Sequence, residues 1–177
     1  MKKVLASISV VAALALAAVP AHALEEVSPT EAYELATTDP DVYILDVRTA
    51  AEWKWVGHPG RNKEGEGALL EGKVFQVSWF LEHRGKMVVN RSFLRDVDEL
   101  FGRDPLVTLI LVCRSGTRGD YAAPDLLNAG YKVLNMVPAF EGIIDEKGYR
   151  SVNGWKIDGL PYSHSPGGYL GPGGYPN

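Results

Sequence analysis

Leu106-Val107-Thr108-Leu109-Ile110-Leu111-Val112-Cys113-Arg114-Ser115-Gly116-Thr117-Arg118 is the stretch on which the fold turns. Its first part is β-branched and apolar almost without interruption, as expected of a central parallel strand covered on both faces. The run ends on the only cysteine of the chain and turns at once into a short cationic loop that contains a glycine. Asp120 to Ala129 then reads as a helix closed by Gly130. A strand, a tight loop and a helix amino terminus aim successive backbone N–H groups and the helix dipole at one spot, which makes an anion cradle. Cys113 falls at the carboxyl end of the strand, where open α/β sheets place their ligands.

Arg114 and Arg118 flank the thiol, and with the loop amides they favour thiolate over thiol. Ser115 and Thr117 add hydroxyl donors. A buried, inert cysteine is the common state in an apolar strand. Such a cysteine has no use for two arginines and a glycine directly after it, so Cys113 is read as a nucleophile.

Cys113-Arg114-Ser115-Gly116-Thr117-Arg118 resembles the active-site loop of rhodanese-type sulfurtransferases. Asp46-Val47-Arg48, then Glu52-Trp53 and Gly57-His58-Pro59-Gly60, resembles the upstream signature of that family. Gly130-Tyr131-Lys132-Val133, Trp155 and Gly159-Leu160-Pro161 are similar to its carboxyl end. The resemblance covers roughly Glu26 to Tyr162. It implies a three-layer α/β/α rhodanese-like sandwich with a mainly parallel sheet of about five strands.

The resemblance also implies a chemistry. Cysteine phosphatases carry five residues between nucleophile and arginine, whereas Cys113 and Arg118 have four between them, a loop sized for one sulfur atom. On the family pattern Cys113 takes the outer sulfur of a donor such as thiosulfate, holds it as a persulfide and passes it to a thiophilic acceptor, cyanide or a thiol. The loop amides stabilise the persulfide anion, and Arg118 with Arg114 orients the donor. No cofactor is implied. The alternatives are a partner-specific sulfur carrier or non-turnover binding module with a protein sulfur acceptor, and, further off, a phosphatase or arsenate reductase.

The rest of the chain sets the context. Met1-Lys2-Lys3, an apolar stretch from Val4 to Val19 and Ala21-His22-Ala23 read as a signal peptide over residues 1–23, removed in export. The stretch is short for a membrane anchor, so a periplasmic or secreted protein is expected. Removal leaves 16 basic against 22 acidic residues, a formal charge of −6 rather than −4. A mildly acidic domain with no basic stripe argues against nucleic acid as partner. The remaining chain makes one domain, residues 24–162, followed by a glycine-, proline- and tyrosine-rich tail, residues 163–177, whose composition cannot bury a core. Four scattered histidines, His22, His58, His83 and His164, give no metal-ligand spacing.

Within the domain, Ser28, Pro29 and Glu31 form a capping box that starts a helix over Pro29 to Thr37. Val42-Tyr43-Ile44-Leu45 is a short buried strand ending at Asp46. Asp46, Arg48 and Glu52 are either reacting groups or a framework tying the strand end to neighbouring loops. The framework reading suits Asp46 and Glu52 better, because sulfur transfer needs little acid–base help once a thiolate exists; Arg48 also shapes the pocket. Trp53 and Trp55 are expected to pack in the core or on the pocket wall. Arg61 to Gly67 is a polar, glycine-rich insertion, and Lys73 to Ser78 the next strand. Phe80 to Asn90 reads as irregular, and a helix follows, capped by Asn90 or Ser92 and ending at Leu100-Phe101. Pro124 is expected to kink or shorten the helix after the cysteine loop. Lys132 to Met136 is a strand, Ala139 and Phe140 line the pocket, and Ile143 to Trp155 reads as a last helix and turn.

Overall fold

The computed structural model describes residues 24–164. The leader expected over residues 1–23, and residues 165–177 of the tail expected from 163, lie outside the described residues, while Tyr162–Ser163 pairs as a strand with His58–Pro59. Five strands make the central sheet: β1 (Glu25–Val27), β2 (Val42–Asp46), β3 (Val74–Gln76), β4 (Thr108–Val112) and β5 (Lys132–Met136). They lie in the order β1-β5-β4-β2-β3, and every pairing is parallel. With the helices α1 (Pro29–Thr38), α2 (Ala50–Val56), α3 (Phe93–Phe101) and α4 (Thr117–Asn128), this is the expected three-layer α/β/α sandwich.

The apolar run of the opening stretch explains the position of β4. Leu109, Ile110 and Leu111 are all 0% exposed, so both faces of the strand are covered and only a central place in the sheet suits it. Each such side chain stabilises the fold by about 1.5–3 kcal/mol through burial. Register does the rest: Asp46 lies opposite Val112, and the Val47 N–H donates to the Val112 carbonyl at 2.9 Å. The carboxyl ends of β2 and β4 therefore finish side by side, bringing Asp46-Val47-Arg48 next to Cys113.

Local signals mostly act as read. Ser28 and Glu31 exchange the two hydrogen bonds of a capping box at the start of α1. A second box, Thr49 with Glu52, starts α2, a helix the sequence reading passed over although the spacing is the same. The helix after the cysteine loop begins at Thr117, three residues earlier than expected, directly on the loop. It runs through Pro124 to Asn128. Pro124 lies in its eighth position, and α4 keeps a single span on both sides of it.

Two segments correct the sequence reading. Phe80 to Asn90 is a β-hairpin, Phe80–His83 against Lys86–Val89, not an irregular stretch. Its two-residue turn, Arg84-Gly85, has φ of 52° and 72°, the left-handed pair that matches strand twist. Ile143 to Trp155 is not a helix. Ile143–Ile144 pairs with Arg150–Val152 as a second hairpin, because the Asp145 carboxylate accepts the Lys147 and Tyr149 N–H groups and the Ser151 hydroxyl, closing a turn instead of a helical one. Trp55 is a third difference: it is 74% exposed, while Trp53 is buried and stacked on His58 at 3.7 Å.

Candidate active site

Cys113 follows the last residue of β4 and is 1% exposed. The loop folds back so that the Gly116 N–H donates to Cys113 Sγ at 3.0 Å, and α4 starts at the next residue. Gly116 has φ of 115°, and a Cβ there would lie 3.0 Å from Val137 Cγ2. Glycine is therefore required on both grounds, and its bare N–H reaches the sulfur. Gly119 has the second steric role: a Cβ there would drive into the Asn135 side chain, 2.7 Å from Cγ. Asn135 is fully buried on β5; its Nδ2 donates to the Gly116 carbonyl at 3.2 Å and to Asp120 Oδ1 at 2.9 Å, pinning loop and helix start together.

Arg118, on the first turn of α4, turns toward α2 and meets both oxygens of Glu52 at 2.7 and 2.5 Å. Their side chains are 18% and 25% exposed. Burial alone would raise the Glu52 carboxyl, yet the Arg118 guanidinium and the Thr49 hydrogen bonds bring it down to about 2. Burial likewise works to lower Arg118, but Glu52, and more weakly Cys113 and Asp46, raise it above its ordinary value. Glu52 thus caps α2 and fixes Arg118 at once.

Asp46 and Arg48 form a buried pair, both fully enclosed, in which Arg48 Nε and Nη2 grip the carboxylate. Arg48 Nη2 also donates to the Gly57 carbonyl at 2.8 Å, and its guanidinium lies 4.2 Å from the centre of the Phe140 ring. Gln76, buried at the end of β3, donates to the Arg48 carbonyl at 2.7 Å. Asp46 and Arg48 thus tie the end of β2 to the chain at Gly57.

Arg114 has a partner that sequence reasoning missed. The segment Ala139–Glu141 lies along the loop, with the Phe140 N–H on the Cys113 carbonyl and the Glu141 N–H on the Arg114 carbonyl, each at 3.0 Å. The Glu141 carboxylate then takes Arg114 Nε at 3.1 Å. No local pattern reveals Glu141, since it is 27 residues from Arg114 in sequence. Asn135 and Gln76 did carry a signal, a polar residue inside an apolar strand. The two arginines expected to orient an anionic donor therefore both hold carboxylates. Ser115 and Thr117 make no side-chain hydrogen bond that caps α4. His58 is buried, with Nδ1 2.9 Å from the Pro59 carbonyl. Arg61 to Glu64 and Glu66, within the Arg61 to Gly67 insertion, line a separate cavity of about 660 Å3 with Gly159–His164, and Cys113 is not among its walls.

A family model described as Rhodanese-like domain matches residues 28–146. Uncharacterized protein RC0915 of Rickettsia conorii is 29% identical over 140 residues, 78% of this chain and 97% of that protein. The mitochondrial protein HIGH ARSENIC CONTENT 1 of Arabidopsis thaliana is 32% identical over 125 residues, 66% of this chain and 72% of that protein. The crystal structure of Rv0390 from Mycobacterium tuberculosis superposes with a TM-score of 0.66 at 31% identity, covering 80% of this chain and 98% of that one.

Proposed function

The chain belongs to the rhodanese-like domain family, and from that membership we propose that it is a sulfurtransferase working through a persulfide on Cys113. The observation that carries the reading is the sulfur at the end of β4 with the Gly116 N–H directed at it at 3.0 Å and a helix starting on the next residue. Backbone donors held in place before reaction stabilise a sulfur anion at no cost of reorganisation. Attack of the thiolate on a sulfane sulfur forms the Cys113 Sγ–S bond and breaks the S–S bond of the donor, whose remainder leaves with the electron pair. A thiophilic acceptor, cyanide or a thiol, then removes the outer sulfur and restores the thiolate. Asp46 with Arg48, and Glu52 with Arg118, hold the cradle rather than move protons. Ser115 and Thr117 face the donor as hydroxyl groups of the loop.

The protein works after export, with residues 1–23 removed, and its acceptor is a small thiol or the thiol of a protein partner. The test is the intact mass of the mature protein with and without thiosulfate or a thiosulfonate. Gain of one sulfur, reversed by cyanide and absent in Cys113→Ala, supports the reading; no gain from either donor with Cys113 reduced refutes it. The arsenic in the name of the Arabidopsis relative favours one added arm, arsenate with a thiol reductant, in which arsenite release that depends on Cys113 would support reductase chemistry.

A further inference from the structure

Each of the three arginines around Cys113 is held by a carboxylate. Arg48 holds Asp46, Arg118 holds Glu52 and Arg114 holds Glu141. Asp120 on the first turn of α4 is bonded to Asn135, and the Lys156 ammonium donates to the Val56 carbonyl at 3.3 Å and lies 4.6 Å from the Tyr162 ring centre, in no ion pair among the described residues. Each arginine beside the loop therefore already has its own carboxylate, and the thiolate adds a further negative charge.

The three arginines are not equivalent. Arg48 is fully enclosed and the Arg118 side chain is 18% exposed, whereas that of Arg114 is 52% exposed, so Arg114 is the most open of the three to an anion arriving from solvent. Its neutralisation is built in: Glu141 is tied to Arg114 through its own N–H and through its carboxylate, and its side chain is only 17% exposed. We propose that this site takes sulfur donors carrying at most one negative charge, of the persulfide or thiosulfonate class, and that Glu141 excludes dianions by neutralising Arg114. The proposal rests on the sulfurtransferase reading and narrows its substrate.

The charge counts explain the selection. With thiosulfate, a thiolate and a dianion must share the cradle; the S–S bond of the donor breaks, sulfite dianion leaves, and the persulfide anion stays on Cys113. With an organic persulfide, RS–SH, the Cys113 thiolate attacks the outer sulfur, the S–S bond of the donor breaks, and RS− leaves while the proton stays on the transferred sulfur. Only one negative charge is then present throughout. A thiosulfonate brings the total to two charges and thiosulfate to three, and with Arg114 already held by Glu141 the repulsion from the thiolate rises with each added charge.

Methanethiosulfonate and thiosulfate present the same sulfane sulfur and differ by one charge, so the pair is the probe. The full mature protein is compared with Glu141→Gln, which keeps an acceptor for Arg114 and removes the charge, and with Arg114→Gln, which leaves Glu141 unpaired. The ratio of kcat/KM for thiosulfate to that for methanethiosulfonate is expected to rise about tenfold in Glu141→Gln, the size of one unit charge acting over roughly 10 Å at an effective dielectric near 20, and to fall in Arg114→Gln. In the unaltered protein, added salt raises kcat/KM for thiosulfate by screening the repulsion. A ratio unmoved by both substitutions, or thiosulfate turnover that salt depresses, overturns the proposal. If neither donor loads reduced Cys113, the sulfurtransferase reading itself falls and takes this one with it.

Discussion

Glu52→Gln is the perturbation with the clearest arithmetic. Glutamine can still close the capping box with Thr49, so the substitution removes the charge facing Arg118 and leaves the helix start intact. The Glu52 carboxyl sits at about 2 in the fold against an ordinary 4.5. At 1.36 kcal/mol per unit, that difference corresponds to about 3 kcal/mol of stability at neutral pH. Both side chains are mostly enclosed, 18% and 25% exposed, so solvent screening removes little of it. Because the folded value is the lower one, the contribution is complete above pH 4.5 and is lost as the pH falls toward 2, reaching about half near pH 3.3. The assay is urea unfolding of both proteins at a series of pH values. Glu52→Gln should be less stable by about 3 kcal/mol at pH 7, and the gap should narrow below pH 4.5. A gap under about 1 kcal/mol at pH 7, or one that does not shrink with acid, would show that the pair is no more than a surface ion pair and refute the reasoning.

Three further outcomes follow from the same geometry. Gly119→Ala should lose about 1–3 kcal/mol in thermal unfolding, since its methyl group and the buried Asn135 amide compete for one space; wild-type stability would mean that Asn135 can move. Asp46→Asn leaves the enclosed Arg48 guanidinium without its counter-ion and should cost about 3–5 kcal/mol in urea unfolding. Tyr131 is buried, and burial, joined by its hydrogen bond to Asp98, pushes its phenol up to about 12. Ultraviolet titration should therefore show one tyrosine that resists ionisation after the others. Its folded value is the higher one, so its contribution is whole below pH 10 and is lost as the pH rises toward 12. Ionisation of every tyrosine together near pH 10 would contradict this.

The sequence by itself determined the centre of this protein. An unbroken apolar run can be satisfied only between two covering layers, so Thr108–Val112 had to be an inner strand, and the residue after it had to emerge at the carboxyl end of the sheet. Glycine at 116 follows from the tight turn that the strand end requires, so the loop at Cys113 was legible without coordinates, whereas Arg118 was marked by the resemblance of the loop to the rhodanese family. Capping boxes were equally legible at Ser28 and, had the spacing been applied again, at Thr49. Hairpins were harder, because Arg84-Gly85 and Asp145 to Gly148 are turns only when the flanking residues pair across them. Tertiary structure alone decided which acids the arginines face. Arg118 meets Glu52 across 66 positions and Arg114 meets Glu141 across 27, distances in sequence that no periodicity spans. Parallel register sets those meetings, since it aligns the ends of β2, β4 and β5 at one edge, and charges carried there on separate loops and helix starts must settle against one another. The place of Cys113 and its loop was written locally, while the charges around them were settled by the fold.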